Sequence, residues 1–371
     1  MNAPPELDIA RRLVEDVLNP MKQAFVGKDE IIDLLGVSLV AKENLFLLGP
    51  PGTAKSALVN DLCRRLEGRS FEYLLTRFTE PNEIFGPFDI TKLREGVLVT
   101  NTEGMLPEAS LAFLDELLNA NSAILNSLLT VLNERVFRRG RESIRIPTLM
   151  IVGASNHLPE DEALRALFDR FLLRVQCEGV PEEDLGRVLD AGWNLEAARS
   201  TPAATVTVEE VRALSGLIPT ADLAAVREAY LELVLRLRHA GIDISDRRAV
   251  KLQGLMAASA LLCGRTEVLV SDLWIMRYIW EAEEEVELLD RLVTESLRDI
   301  DPSTAHPNAR TERRVDPERL LQAVDALATA AEADPLRLQA IEADLQWIAN
   351  PEQRQFIAQR VERIRLLVQP S

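Results

Sequence analysis

The chain is 371 residues long, carries 42 Lys and Arg against 59 Asp and Glu for a formal net charge of −17, and is 47% hydrophobic but only 5% aromatic. That much apolar material excludes a disordered chain and provides cores for two to three domains, built mainly from aliphatic side chains. The acidic balance argues against a protein that coats nucleic acid or an anionic membrane, because neutralising phosphates takes clustered Lys and Arg.

Pro4-Pro5 announces a first helix, in which Leu7, Ala10, Val14, Val17 and Leu18 recur at helical spacing. A second helix follows Gly27, with Ile31, Leu34, Leu35 and Leu39 apolar. Residues 44–49, Asn-Leu-Phe-Leu-Leu-Gly, form a short apolar run ending in glycine, the pattern of a buried parallel strand. Similar runs occupy residues 71–75, 111–114 and 149–152, with helical pattern between them, as at 122–134. Strand and helix in alternation predict an α/β domain with a parallel sheet over residues 1–190. Residues 191–207, rich in Ala, Ser, Thr and Pro, read as a linker, and residues 208–300 as an all-α lid with breaks at Pro219, Gly241 and Gly264. Turn formers mark a second linker at 301–315. The tail, 316–371, shows three amphipathic stripes: Leu320, Val324, Leu327, Ala331; Leu338, Ile341, Leu345, Ile348; and Ile357, Val361, Ile364, Val368. Pro335 and Pro351 stand at permitted helix starts.

No segment approaches the ~18 uninterrupted apolar residues of a membrane helix. The N-terminal stretch is broken by charges every few residues and reads as neither signal nor transit peptide, so a cytoplasmic protein is expected. Cys63, Cys177 and Cys263 are far apart and form no CxxC pair, which implies no disulfide framework or zinc ribbon. His157, His239 and His306 are too scattered to suggest a metal cluster.

The strongest chemical signal is Gly49-Pro50-Pro51-Gly52-Thr53-Ala54-Lys55-Ser56, with Ala57 after it, lying between a predicted strand and a predicted helix. This is the context of a phosphate-binding loop: N–H groups at the helix N-terminus face phosphate oxygens, Lys55 reaches the β- and γ-phosphates, and the Ser56 hydroxyl ligates Mg²⁺. Ala54 stands where the usual pattern has its last glycine, a substitution that is tolerable if φ stays negative. One strand–helix unit later, Leu111-Ala-Phe-Leu-Asp115-Glu116 is an apolar strand ending in two carboxylates. Asp115 is suited to the Mg²⁺ shell and Glu116 to orienting and polarising an attacking water. Alone, such a strand end is commonplace; behind a phosphate loop it is informative. The strand at 149–155 ends in Asn156, which is either a plain strand terminus or a contact to the γ-phosphate or the water. In Asp169-Arg170-Phe171-Leu-Leu-Arg174, Arg170 either pairs with Asp169 or serves as an arginine finger in a neighbouring subunit, with Arg174 the alternative finger. Ser245-Asp246-Arg247-Arg248 opens a lid helix with a plausible N-cap. Arg247 either reaches back over the phosphates or belongs to a solvated basic first turn, a placement the helix dipole disfavours.

In their order, these motifs resemble the AAA+ ATPases of the MoxR family over residues 19–297. Phe25-Val26-Gly27-Lys28 is similar to the family's adenine-side segment, which would put Val26 and Gly27 at the nucleotide, and Ala before the loop Lys is common in the family. Residues 123–138, and Ser245-Asp-Arg-Arg together with residues 258–265, resemble the RavA subfamily. The resemblance implies an AAA+ P-loop core with an all-α lid, ATP hydrolysis with Mg²⁺ at the subunit interfaces of a hexameric ring, and chaperone-like remodelling of a partner that carries a von Willebrand factor A domain. RavA proteins of enterobacteria have a longer C-terminal region that docks on a lysine decarboxylase; residues 310–371 are too short and too purely helical to imply that partner.

Residues 89–100 look like a hairpin turning at Glu95-Gly96, and residues 135–147 like a second one turning at Gly140, with Ile144 and Ile146 in strand alternation. In the family such hairpins face the ring pore. Arg138, Arg139, Arg141 and Arg145 in the second are either a solvated turn or a pore lining that meets an acidic partner segment. The rival functions are a nucleic-acid-dependent motor, which the charge and low aromatic content disfavour, and a protein that binds nucleotide only as a folding ligand, which Glu116 disfavours.

Overall fold

The structure, a computed structural model, describes residues 4–96, 98–139, 142–159, 161–198, 205–298, 300–301, 305–309, 320–321, 324, 341, 345 and 351–368. The chain divides into two compact units, Met1–Ala309 and Arg310–Ser371.

In the first unit a parallel sheet has the order β3-β4-β7-β1-β8, with β1 Leu45–Leu48, β3 Ser70–Leu74, β4 Leu111–Asp115, β7 Met150–Ser155 and β8 Leu173–Gln176. The central strands β1 and β7 are buried at every residue, because helices cover both faces. Leu48 pairs with Ser155 and Leu114 with Gly153, so the chain leaves β1, β4 and β7 at one edge of the sheet with Gly49, Glu116 and Asn156 close together. The edge strand β8 does not stand out as an apolar run, because Arg174 interrupts it. Two residues of β2 (Leu66–Glu67) pair in parallel with β9 (Val206–Thr207).

The N-terminal helix is continuous from α1 (Glu6–Arg12) through a π-helical stretch, Leu13–Leu18, into α2 (Asn19–Ala24). Helix α3 (Asp29–Ala41) is buried from Ile31 to Val40. It packs on β1 and β8 to one side and on lid helices α10 (Val208–Ser215) and α12 (Asp246–Leu262) to the other. A Cβ on Gly36 would lie 2.6 Å from Leu18 Cδ1, so glycine is what lets the N-terminal helix approach α3 this closely. The phosphate-loop helix α4 (Lys55–Arg65), α5 (Pro81–Phe85), α6 (Ile90–Arg94), α7 (Ser122–Glu134), α8 (Glu162–Phe168) and α9 (Leu185–Ala198) complete the α/β part. The lid adds α11 (Arg227–His239), a 3₁₀ stretch Val270–Tyr278 and α13 (Glu284–Ser296).

Several expectations change. Residues 191–198 continue α9 and 206–207 form β9, so the expected linker is structured at both ends; residues 199–204 lie outside the described set. The second expected linker is partly packed. His306 is buried and stacks on Trp274 with ring centroids 4.5 Å apart, while Asn308 donates to Asp33 of α3 at 2.9 Å. The 89–100 excursion is helical rather than a strand hairpin: Asp89 accepts from the N–H groups of Thr91 and Lys92 and caps α6, and the ends close through the Phe88–Thr100 bridge. The second hairpin is present, with β5 (Val136–Arg139) antiparallel to β6 (Glu142–Arg145); its expected turn at Gly140, and Arg141, lie outside the described residues.

In the second unit Leu320, Val324, Ile341, Ile357 and Val361 are buried together, and helix α14 spans Pro351–Val368. Leu327, Ala331, Leu338 and Ile348 of the expected stripes lie outside the described residues. No helix among the described residues is long and apolar enough to cross a membrane.

Candidate active site

The phosphate loop spans the gap between β1 and α4. A Cβ on Gly49 would sit 2.2 Å from the carbonyl oxygen of Cys177, so only glycine fits where the loop leaves the sheet. Gly52 adopts φ +85° with open space around it. Ala54, the residue before α4, has φ +66° and not the negative value expected. A left-handed alanine costs about 1–2 kcal/mol, and such strain gathers at functional turns. None of the N–H groups of residues 52–56 donates to a protein acceptor among the described residues, which leaves a row of donors at the positive end of α4.

Lys55 is buried and folds over this loop, donating to Gly49 O at 2.5 Å and Pro50 O at 2.9 Å, and lying 3.5 Å from Asn156 Oδ1. The same Asn156 amide donates through Nδ2 to Glu116 Oε1 at 2.7 Å, so its oxygen faces the ammonium and its NH₂ the carboxylate. Ser56 Oγ donates to Asp115 Oδ2 at 3.3 Å. Glu116 is the second non-glycine residue here with positive φ, at +51°. The sheet edge thus joins Lys55, Ser56, Asp115, Glu116 and Asn156. Ala57 follows in the first turn of α4.

Val26, which is buried, and Gly27 lie against the segment after β8, whose Cys177 carbonyl abuts Gly49. A Cβ on Gly27 would lie 3.6 Å from Val180, and Lys28 Nζ donates to Glu178 O. Burial lowers the Lys28 pKa, and burial pushes the adjacent Cys177 thiol up to about 11, so Cys177 is no thiolate.

Arg170 and Arg247 sit elsewhere. Asn44, just before β1, donates to the Arg170 carbonyl at 3.2 Å, so the Arg170 turn lies at the opposite end of β1 from Gly49, roughly 16 Å of extended chain away. Phe168 and Phe171 fix that turn by packing edge-on against Phe46 of β1, with centroids 4.9 and 5.4 Å apart. Asp169 does not pair with Arg170; its carboxylate is 3.8 Å from Arg174. The Arg170 side chain has no hydrogen-bonding or ion-pair partner among the described residues, and its Nε is buried. Arg247 is exposed, and with Arg170, Arg248, Lys251 and Glu281 it lines a groove of about 220 Å³. It therefore does not reach back over the chain's own phosphate loop, because the lid is docked behind α3.

Arg174 is not available as a finger. It is 1% exposed, lies over the Phe168 ring at 4.4 Å and donates to Trp280 O at 2.6 Å and Phe168 O at 3.2 Å. Burial, and then neighbouring Arg248, pulls its pKa down to about 9. Arg248 is also engaged, by Glu281 and Ile279 O, and Lys251 by Glu43 at 2.8 Å. In the arginine-rich hairpin Arg138 pairs with Glu134 at 2.7 Å. Arg139 donates to Gly86 O at 2.8 Å and Asn82 Oδ1 at 2.6 Å.

A family model described as the MoxR domain of the MoxR–vWA–β-propeller ternary systems matches residues 11–216, and an AAA lid domain model matches residues 221–293. The chain belongs to the MoxR family of AAA+ ATPases. An uncharacterised protein of Methanocaldococcus jannaschii, MJ0812, is 36% identical over 276 residues, covering 74% of this chain and 73% of that one. Chaperone MoxR1 of Mycobacterium tuberculosis is 28% identical over 176 residues, covering 46% of this chain and 45% of MoxR1. The crystal structure of a candidate ATPase from Cytophaga hutchinsonii superposes with a TM-score of 0.63 over 80% of this chain and 96% of that one; at 17% identity it shows the fold alone. Two residues of this MoxR-family site are absent from its motifs as read in the sequence. Asn44 accepts from Arg135 at 2.8 Å while holding the Arg170 turn. Asn119 donates to Glu116 Oε2 at 3.3 Å, and its position three residues after Glu116 was the available signal.

Proposed function

We propose that the chain hydrolyses ATP at the subunit interfaces of a homo-hexameric ring in the cytoplasm and uses the resulting motion to remodel or assemble a protein partner bearing a von Willebrand factor A domain. The observation that carries this is the joined cluster of Lys55, Asn156 and Glu116, beside Ser56 and Asp115 and a row of free N–H groups. The N–H groups of residues 52–56 and the Lys55 ammonium bind the phosphates, and Val26 and Gly27 border the base. Glu116 orients and polarises the attacking water and takes up its proton as the bond to the γ-phosphorus forms and the bond from that phosphorus to the β,γ-bridging oxygen breaks, releasing ADP and phosphate; Asn156 fixes both the water and the carboxylate.

The hydroxyl of Ser56 and the carboxylate of Asp115 are hard oxygen donors 3.3 Å apart, a set that fits Mg²⁺. When bound, the ion neutralises phosphate charge.

Arg170 and Arg247 share a groove remote from their own phosphate loop, which supports a role for both in a neighbouring subunit's site. The family model's description supports the partner class, and the likeness to Chaperone MoxR1 supports remodelling. The RavA likeness of residues 123–138 adds nothing this proposal needs. A nucleic-acid motor gains no support from the hairpin, where Arg138 and Arg139 are engaged within the chain.

The test is Glu116→Gln, which keeps size but cannot take a proton. ATP binding should persist while turnover falls by about 10²–10⁴. Lys55→Ala should instead abolish binding. Turnover near wild type in Glu116→Gln would make Glu116 structural.

A further inference from the structure

Glu116 is held by two amides, one on each carboxylate oxygen. Asn156 Nδ2 donates to Oε1 at 2.7 Å, and Asn119 Nδ2 donates to Oε2 at 3.3 Å. The backbone brings Asn119 there. Glu116 takes the left-handed conformation at φ +51°, and the chain then winds into a 3₁₀ turn, Leu117–Asn119, in which the Asn119 N–H donates to Glu116 O at 2.9 Å. Residues three apart in such a turn eclipse one another, so the two side chains share one side of it.

The turn is pinned on both flanks. Leu117 and Leu118 are buried beneath it. Two residues after Asn119, Asn121 accepts from the N–H groups of Ala123 and Ile124 at the start of α7, and its own amide donates to Thr79 O at 2.7 Å. Asn119 therefore reaches Glu116 from a fixed base, across from the Asn156 strand end, at the rim of a cavity of about 910 Å³ that Arg77, His157 and Asp161 also line.

A carboxylate anchored at one oxygen still turns about its terminal bond. Donors on both oxygens, approaching from different elements, fix its plane and leave lone pairs aimed in one direction. We infer that Asn119 is a positioning residue that sets the plane of the Glu116 carboxylate for the attacking water. This rests on the reading of Glu116 as the group that polarises that water.

The test is steady-state ATP hydrolysis by the full chain, with ATP affinity and thermal unfolding measured on each variant. Asn119→Ala should lower kcat by about ten- to a hundredfold with ATP affinity unchanged, the size of loss that modest misplacement of a reacting group produces. Asn119→Asp matches asparagine in shape and turn preference but sets a negative charge where Glu116 needs a donor, so it should be slower than Asn119→Ala. A merely structural role predicts the reverse order. Asn119→Gln keeps an amide donor and should retain more activity than Asn119→Ala. In a Glu116→Gln background, Asn119→Ala should cost nothing further. Wild-type kcat in Asn119→Ala, or Asn119→Asp faster than Asn119→Ala, overturns the inference while a dead Glu116→Gln leaves the reading of Glu116 standing. Near-wild-type turnover in Glu116→Gln overturns both.

Discussion

The two ends of the central sheet handle their charges in opposite ways. At the strand C-termini the functional side chains are joined to one another: Lys55 to Asn156, Asn156 and Asn119 to Glu116, Ser56 to Asp115. At the other end, cations cluster around the 168–174 turn and α12, and most are engaged within the chain. Arg174 is sealed by lid carbonyls, Arg248 by Glu281, Lys251 by Glu43 and Arg135 by Asn44. Arg170 and Arg247 are the exceptions, without a side-chain partner among the described residues. Leaving donors of a half-buried guanidinium unpaired costs free energy, and an anion supplied from outside the chain relieves it. One end therefore has its charged and polar groups joined to one another, and the other has two arginines that lack an anion.

Substitutions can break this contrast. The largest expected effect is on Arg170→Ala, which should lower turnover in the assembled protein by about 10³–10⁵, the contribution of a trans arginine in related phosphoryl transfer, while shifting unfolding free energy by less than about 1 kcal/mol. Arg174→Ala, four residues on, should do the reverse. It removes a buried guanidinium bonded to Phe168 and Trp280 carbonyls and should destabilise the fold by about 3–5 kcal/mol in a denaturant titration. If the two variants had the same profile, the division between engaged and free arginines would lose its meaning.

A smaller effect sharpens the account of how the lid is docked. His306 is held neutral, its pKa lowered to about 3 by burial first and then by Lys22 and Arg265. An unfolded histidine titrates near 6.5. Below that pH the unfolded chain takes up a proton that the folded chain refuses, so stability is lost as pH falls from about 6.5 towards 3, by up to about 1.4 kcal/mol per pH unit. His306→Gln should show a shallower fall across that window when thermal unfolding is followed against pH. An unchanged slope would mean that His306 is not held neutral by its burial.

Much of the phosphate end was legible in the sequence because its residues stand directly after apolar strand runs, and position along the chain there equals position in space. Even so, local sequence does not report the sign of φ for alanine, and Ala54 is left-handed where a negative φ is expected. Strand β8 does not read as an apolar run because a charged residue stands in its middle, and the Trp280 carbonyl that helps to satisfy Arg174 lies more than a hundred residues further on. The excursion at 89–100 carries two competing local signals, the helix cap at Asp89 and the turn at Glu95-Gly96, and the cap prevails. The groove holding Arg170 and Arg247 was illegible for a different reason. Ser245-Asp246-Arg247 reads the same whether the lid sits over the phosphates or behind α3, and only the burial of α3 on both sides decides between them.

The central claim is that the two ends complete each other between subunits, and mixing two inactive variants tests it most directly. Arg170→Ala keeps an intact phosphate loop and Lys55→Ala keeps an intact arginine. Each alone should be inactive. Mixed under conditions where subunit exchange is demonstrated independently, some interfaces combine a wild-type Lys55 with a neighbour's wild-type Arg170, and part of the ATPase rate should return. A mixture that exchanges subunits and still hydrolyses no ATP would contradict the account.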